Sequence, residues 1–158
     1  MSAAADYTTS VLWFEDLAIG RKGISPTRTV TEHDVATFAG LTGDNAELHT
    51  SRTYAAESRF GERIAHGMLT LSLAHGLIVR TGYLATTGIA LLGWSDVRFL
   101  APVRLGDTIR TEWETVSLRA SSSRPLAGIV QDRVSLMNQR DELVMTGTVS
   151  ELVRMRPR

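Results

Sequence analysis

An α+β fold, an antiparallel sheet curled around one long helix, is predicted by three observations in this 158-residue sequence. The segment from Gly67 to Arg80 is apolar on nearly every face, as suits a helix enclosed by other elements. Four strand-like runs follow it, Ile89 to Leu100, Thr108 to Leu118, Leu126 to Met137 and Leu143 to Val153, separated by turn chemistry at Gly106-Asp107, Ser121 to Pro125 and Asn138 to Glu142. Strands in direct succession imply an antiparallel meander. No repeat, low-complexity tract or linker interrupts the chain, so a single domain over 1–158 is expected. At that length folding buries roughly 70% of the unfolded surface, enough for a core without staples.

The remaining elements follow in chain order. Met1 to Ser10 is small and polar and is expected to fray. Val11 to Gly20 ends in a turn signal, and Ile24 to Val30 reads as one short strand. Thr31 then stands at a helix N-cap with Asp34 three places on, and Val35, Phe38 and Ala39 continue at helical spacing until Gly40 or Gly43. From Gly43 to His66 the pattern is irregular and polar, apart from a short helix over Ser51 to Ser58 capped by Thr50 or Ser51. Such loops on a scaffold are where chemistry concentrates.

Composition excludes several classes of function. The absence of cysteine removes disulfides, thiolate metal sites and cysteine nucleophiles. Seventeen basic residues balance seventeen acidic ones, which disfavours a nucleic-acid partner. The first basic residue is Arg21, and Glu15 and Asp16 break the only apolar stretch before it, so no signal peptide is readable. The apolar run from Met68 to Val79 is shorter than the roughly 20 residues that span a bilayer. A cytoplasmic protein without a membrane partner is expected.

The segment Thr42-Gly43-Asp44-Asn45-Ala46-Glu47-Leu48-His49 carries the chemistry, together with Tyr54-Ala55 and Ile64-Ala65-His66-Gly67-Met68-Leu69. Taken singly, its residues are ambiguous: Asp44 after Gly43 fits an Asx turn, His49 an exposed loop histidine, and Gly67 close helix packing. A carboxylate and an imidazole sharing one water would instead supply acid–base chemistry, and the open N–H of a helix start would suit an oxyanion. The whole segment resembles the MaoC-like hydratases and (R)-specific enoyl-CoA hydratases of the hot-dog fold. Their pattern is Gly-Asp, a variable residue, Asn-Pro, an aliphatic residue and His, then five residues and Ala or Ser; Gly43, Asp44, Leu48, His49 and Ala55 fall on it without a gap. Ala65 to Leu69 matches the start of the family's central helix, and Val97-Arg98-Phe99, Pro102-Val103 and Gly106-Asp107-Thr108 match the strand and turn beyond it.

The resemblance implies a hot-dog sheet around a helix from about His66 to Arg80, in a homodimer or larger homo-oligomer with its site near the subunit interface. The implied reaction is reversible syn hydration of a trans-2-enoyl-CoA, or an acyl-carrier-protein thioester, to the (R)-3-hydroxyacyl thioester, with no cofactor or metal. Asp44 and His49 would hold the water and exchange protons, Gly67 N–H would polarise the carbonyl, and His66 would serve as a structural hydrogen-bonding residue. Two rivals are a hot-dog acyl-CoA thioesterase and a non-catalytic acyl-binding partner subunit. Ala46 and Glu47 replace the family's Asn and Pro, so Asn45 is a candidate to order the loop instead, and Glu47 is either an orienting carboxylate for His49 or solvated. His75 stands where the family often has a small polar residue; it either faces the cavity or sits satisfied in the core. Sixteen of the basic residues are arginine, whose planar fork suits phosphate, and Arg59, Arg63, Arg98 and Arg104 lie near the site in sequence.

Overall fold

The structure, a computed structural model, describes residues 11–157; the N-terminal segment expected to fray lies outside them. A 3₁₀ turn at Phe14–Asp16 leads into strands β1 (Lys22–Ile24) and β2 (Arg28–Thr29), then helices α1 (Glu32–Thr42), α2 (Glu47–Thr50), α3 (Arg52–Glu57) and α4 (Gly67–Arg80). Strands β3 (Gly88–Phe99), β4 (Thr108–Ala120), β5 (Ala127–Met137) and β6 (Leu143–Arg154) complete the described chain.

Local chemistry sets the first helix. The Thr31 hydroxyl accepts from Asp34 N–H, and the Asp34 carboxylate accepts from Thr31 N–H at 2.8 Å, closing a reciprocal cap. Gly43 ends the helix at φ 77°, a left-handed conformation that costs a residue without Cβ little. Gly40, the other predicted stop, lies inside α1. Ser51 caps α3 by accepting from Tyr54 N–H.

The single strand expected over Ile24 to Val30 is two. Pro26 offers no N–H to a ladder and lies between β1 and β2, both of which pair with β4. Ser25 bridges the gap: its N–H donates to Thr111 O and its hydroxyl accepts from Thr111 N–H.

The sheet runs β1-β4-β5-β6-β3, with every neighbour antiparallel. The expected four-strand meander therefore holds only for β4, β5 and β6. Strand β3 crosses to the far side and pairs with β6, with three register shifts along the ladder. Such bulges bend a strand and strengthen its twist, which lets β3 follow the helix.

Helix α4 buries Leu69, Thr70, Ala74, Leu77 and Ile78 under this curved sheet. One core cluster gathers Leu69 and Leu77 with Ile109, Leu136 and Met145, and a second gathers Ile78 with Tyr83, Trp113, Val130 and Val149; Trp94 packs against both. The helix is not enclosed on every side, because Met68 and Val79 are more than half exposed. Val79 lies beside Leu91 of β3, and Phe99 and Leu100 lie beside the start of α4, all four of them apolar and exposed. Among the described residues no helix is long and apolar enough to cross a membrane.

A polar seam runs beneath the second cluster. Thr115 Oγ1 donates to Asp132 Oδ1 at 2.7 Å, Tyr83 Oη lies 3.4 Å from Thr115 Oγ1, and Asp132 Oδ2 is buried without a partner among the described residues. Burial raises the Asp132 carboxyl above the usual range. Burial, then the neighbouring Asp132 charge, pushes Glu151 up to about 7. Because the folded protein then holds a proton on Glu151 more tightly than the unfolded chain does, this contribution to stability is complete below about pH 4.5 and is lost as pH rises through 7. The urea midpoint is expected to fall between pH 5 and pH 8, and Glu151→Gln to remove a measurable part of that fall.

Candidate active site

Two polar loops meet at the N-terminus of α4. Residues 43–46, just after the left-handed Gly43, lead into the one-turn helix α2 that carries His49; residues 58–66 lead into α4. Each loop gives the other an imidazole. His49 Nδ1 lies 2.8 Å from Ile64 O, and His66 Nε2 lies 2.9 Å from Asp44 O. A carbonyl only accepts, so both nitrogens carry the proton and donate. The tautomers are thereby fixed: His49 Nε2 and His66 Nδ1 hold the lone pairs. The two rings stack with centroids 3.9 Å apart, and Phe38 of α1 closes on His66 at 5.0 Å.

This cross-tie brings Asp44 to the histidines. One polar atom of each of Asp44, His49 and His66 lies within 4.8 Å of the others, with Asp44 exposed, His49 half-buried and His66 buried. Among the described residues His66 Nδ1 has no hydrogen-bond partner and is closed to solvent, which leaves the exposed Asp44 and the half-buried His49 as the groups open to a ligand. A shared cation fits poorly, because imidazole lone pairs lie in the ring planes and two nearly parallel rings, tilted by 32°, direct them past one another.

Beside the pair lies a groove of about 290 Å³ lined by His49, Arg59, Phe60, Gly67, Thr70 and Phe99, among others. His66 stands at the N-cap of α4 without a side-chain cap, and no acidic residue occupies the first turn. The N–H groups of that turn, Gly67 first, are therefore open and carry the positive end of a 14-residue helix dipole. Glycine at 67 permits close approach: a Cβ there would sit 3.0 Å from the Phe99 ring, which would have to shift by a few tenths of an ångström.

His49 and Gly67 lie together in the groove wall, and Asp44, which does not line the groove, stands beside His49 and His66. Asn45 orders the loop by donating from Nδ2 to Gly43 O at 3.2 Å. Glu47 is exposed and makes no bond to His49. His75 belongs elsewhere: it packs edge-on against Trp94 and lines a second cavity with Ile78, Tyr83 and Glu151, where burial lowers its pKa. Of the four arginines, Arg63 pairs with Glu32 at 2.7 Å and Arg104 with Glu62, while Arg98 is exposed on β3. Only Arg59 lines the groove. Sequence reasoning missed Thr70, Phe60 and Phe99; the spacing of Thr70 three residues after Gly67, on one helix face, was the available signal for the first.

Fold and site together define a hot-dog protein of the hydratase/dehydratase group. The chain belongs to the MaoC-like family, whose domain model matches residues 16–136. It is 36% identical over 108 residues to a 3-hydroxybutyryl-CoA dehydratase of Methylorubrum extorquens, covering 68% of this chain and 66% of the relative. A MaoC-like dehydratase of Rhodospirillum rubrum superposes with a TM-score of 0.83 and 31% identity over 93% of this chain and 99% of that one. A Mycobacterium tuberculosis protein with a double hot-dog fold gives a TM-score of 0.80 at 25% identity over 93% of this chain and 45% of that chain. The chain spans from 29% to 66% of the length of the first curated relatives it matches.

The cross-tie generates a direct test. His66→Phe keeps the ring and its packing but deletes the donor to Asp44 O. Leaving that carbonyl unpaired is expected to cost about 1–3 kcal/mol of stability. Amide hydrogen exchange is expected to accelerate over residues 43–49, with protection in the middle of α4 retained.

Proposed function

We propose that this chain catalyses the reversible hydration of a trans-2-enoyl-CoA to the (R)-3-hydroxyacyl-CoA. The observation that supports this reading best is the Asp44 carboxylate beside His49, whose Nε2 keeps a lone pair, with His49 and the first residue of α4 lining one groove. The thioester carbonyl accepts from Gly67 N–H, which draws electron density from Cβ and stabilises the enolate that forms when Cβ is attacked. A water held between Asp44 and His49 Nε2 attacks there. Its oxygen bonds to Cβ, the C=C π pair moves onto the enolate, and the water's second proton passes to Asp44. The same carboxyl then delivers that proton to Cα, so H and OH add to one face and no further reactant is consumed. Glycine at 67 lets the carbonyl reach the helix terminus, and Phe99 shields one side of it.

The exposed apolar flank of α4 and β3 supports a homodimer or larger homo-oligomer formed along that flank. Phe99 belongs to both the flank and the groove, so a second copy there would also wall the site.

With crotonyl-CoA, purified protein is expected to consume the enoyl absorbance without releasing thiol. Thiol release without hydration would make the protein a thioesterase instead. Asp44→Asn and His49→Ala are each expected to lower kcat by roughly 10²–10⁴-fold with folding intact by circular dichroism. Full activity in both variants would remove their roles. Dialysis against a chelator is expected to leave the rate unchanged, since the stacked imidazoles are poorly set for a shared metal.

A further inference from the structure

Arg59 is presented to the groove by a turn that is fastened on every side. Gly61 N–H donates to Ser58 O at 3.1 Å, and Gly61 adopts φ 72°. The Ser58 hydroxyl donates to Ala55 O at 2.7 Å and accepts from Phe60 N–H at 3.2 Å. Arg104, neutralised by Glu62, donates to Phe60 O at 3.2 Å and ties the turn to the segment before β4. At the apex the Arg59 guanidinium lies 4.7 Å from the centroid of the Phe60 ring, which supports it from one face.

The surrounding charges isolate this group. The neighbouring guanidiniums of Arg63 and Arg104 are matched by Glu32 and Glu62, whereas Arg59 forms no ion pair among the described residues. It lines the groove that also holds His49 and Gly67. Arg59 is exposed at the groove wall, where its always-charged fork is available to a planar or tetrahedral oxyanion on whatever enters.

We propose that Arg59 binds an anionic oxygen group of the thioester substrate, either a phosphate of the carrier or a second carboxylate on the acyl group. This deepens the hydratase reading and rests on it for the identity of the thioester. Its ring support and fixed turn preorganise the fork, so binding orders little that is mobile beforehand.

Three substrates separate the two sources: crotonyl-CoA, crotonyl-N-acetylcysteamine, which has neither phosphate nor second carboxylate, and an enoyl-CoA bearing a terminal carboxylate on its acyl group. Arg59→Gln is expected to raise KM about tenfold for at least one anionic substrate, with most of the effect in KM rather than kcat, and Arg59→Lys to recover part of it. A rise with both CoA esters, absent with the N-acetylcysteamine thioester, assigns the carrier phosphate; a rise confined to the carboxylate-bearing ester assigns the acyl carboxylate. Unchanged KM throughout, or an equal loss with the N-acetylcysteamine thioester, overturns the proposal. Calorimetric titration of wild type and Arg59→Gln with the saturated, non-reacting butyryl-CoA and glutaryl-CoA reads the same binding without turnover. If wild type hydrates nothing yet the variant loses about tenfold in affinity for either ester, the hydratase reading fails and the Arg59 assignment stands. Equal affinities for both esters overturn the assignment whether or not hydration is seen.

Discussion

Everything at the candidate site depends on two imidazole N–H groups, each donated to a backbone carbonyl of the opposite loop. His49 holds the end of one loop at Ile64 O, and His66 holds the start of the other at Asp44 O. The 58–66 loop is held in addition by an isolated bridge between Ile64 and Arg104 and by Ala65 N–H on Val103 O, whereas residues 43–46 have no strand partner among the described residues. The exchange also settles which nitrogen of each neutral ring carries the hydrogen, so tautomer and loop position are one constraint. Removing the His66 donor would release residues 43–49 first, because the 58–66 loop keeps its bonds to residues 103 and 104. Because His66 is the residue that begins α4, the tie extends to the helix whose first turn is open.

Much of this arrangement was legible in the sequence. The Thr31–Asp34 cap, the left-handed stop at Gly43 and the span of α4 follow from local rules that the structure obeys closely. The four long strands lie within a residue or two of their expected bounds for the same reason. The order of those strands was not legible, because alternation shows that a segment is a strand and says nothing about its neighbour. The division of the first strand was missed although Pro26 marked it. Within the site, the spacing from Asp44 to His49 was readable, but the function of His66 was not specified by any partner side chain, since it bonds a carbonyl. The choice among four arginines needed Glu32 and Glu62, which lie 31 and 42 residues away from their partners.

The polar groups of the molecule divide into two populations. Asp107, buried among Arg104 N–H, Gln139 and Arg140, is held well below the usual carboxylate range by those bonds despite its burial, and it locks the turn before β4 to the β5–β6 hairpin. Asp132 and Glu151 lie under the sheet with fewer donors, and burial wins there. Asp44 belongs with neither, being exposed on a loop where its carbonyl accepts from His66 and its Oδ1 accepts one long bond, 3.4 Å, from Ala46 N–H. A held backbone with an exposed, weakly bonded carboxylate suits a proton-transferring group.

The pairing of β3 with β6 sets an order on assembly. Strand β3 emerges early in synthesis, yet its hydrogen-bonding partner comes only after β4 and β5 have been made. Until then one of its edges lacks its native neighbour, and its apolar side chains and the flank of α4 lie beside it without cover. Long-range pairing of this kind slows folding and exposes strand edges to wrong partners. The twist and bulges along β3 make that waiting edge a poor template for a flat, foreign strand. The irregularity that lets the strand follow the helix in the finished protein is thus also its protection while the ribosome is still at work.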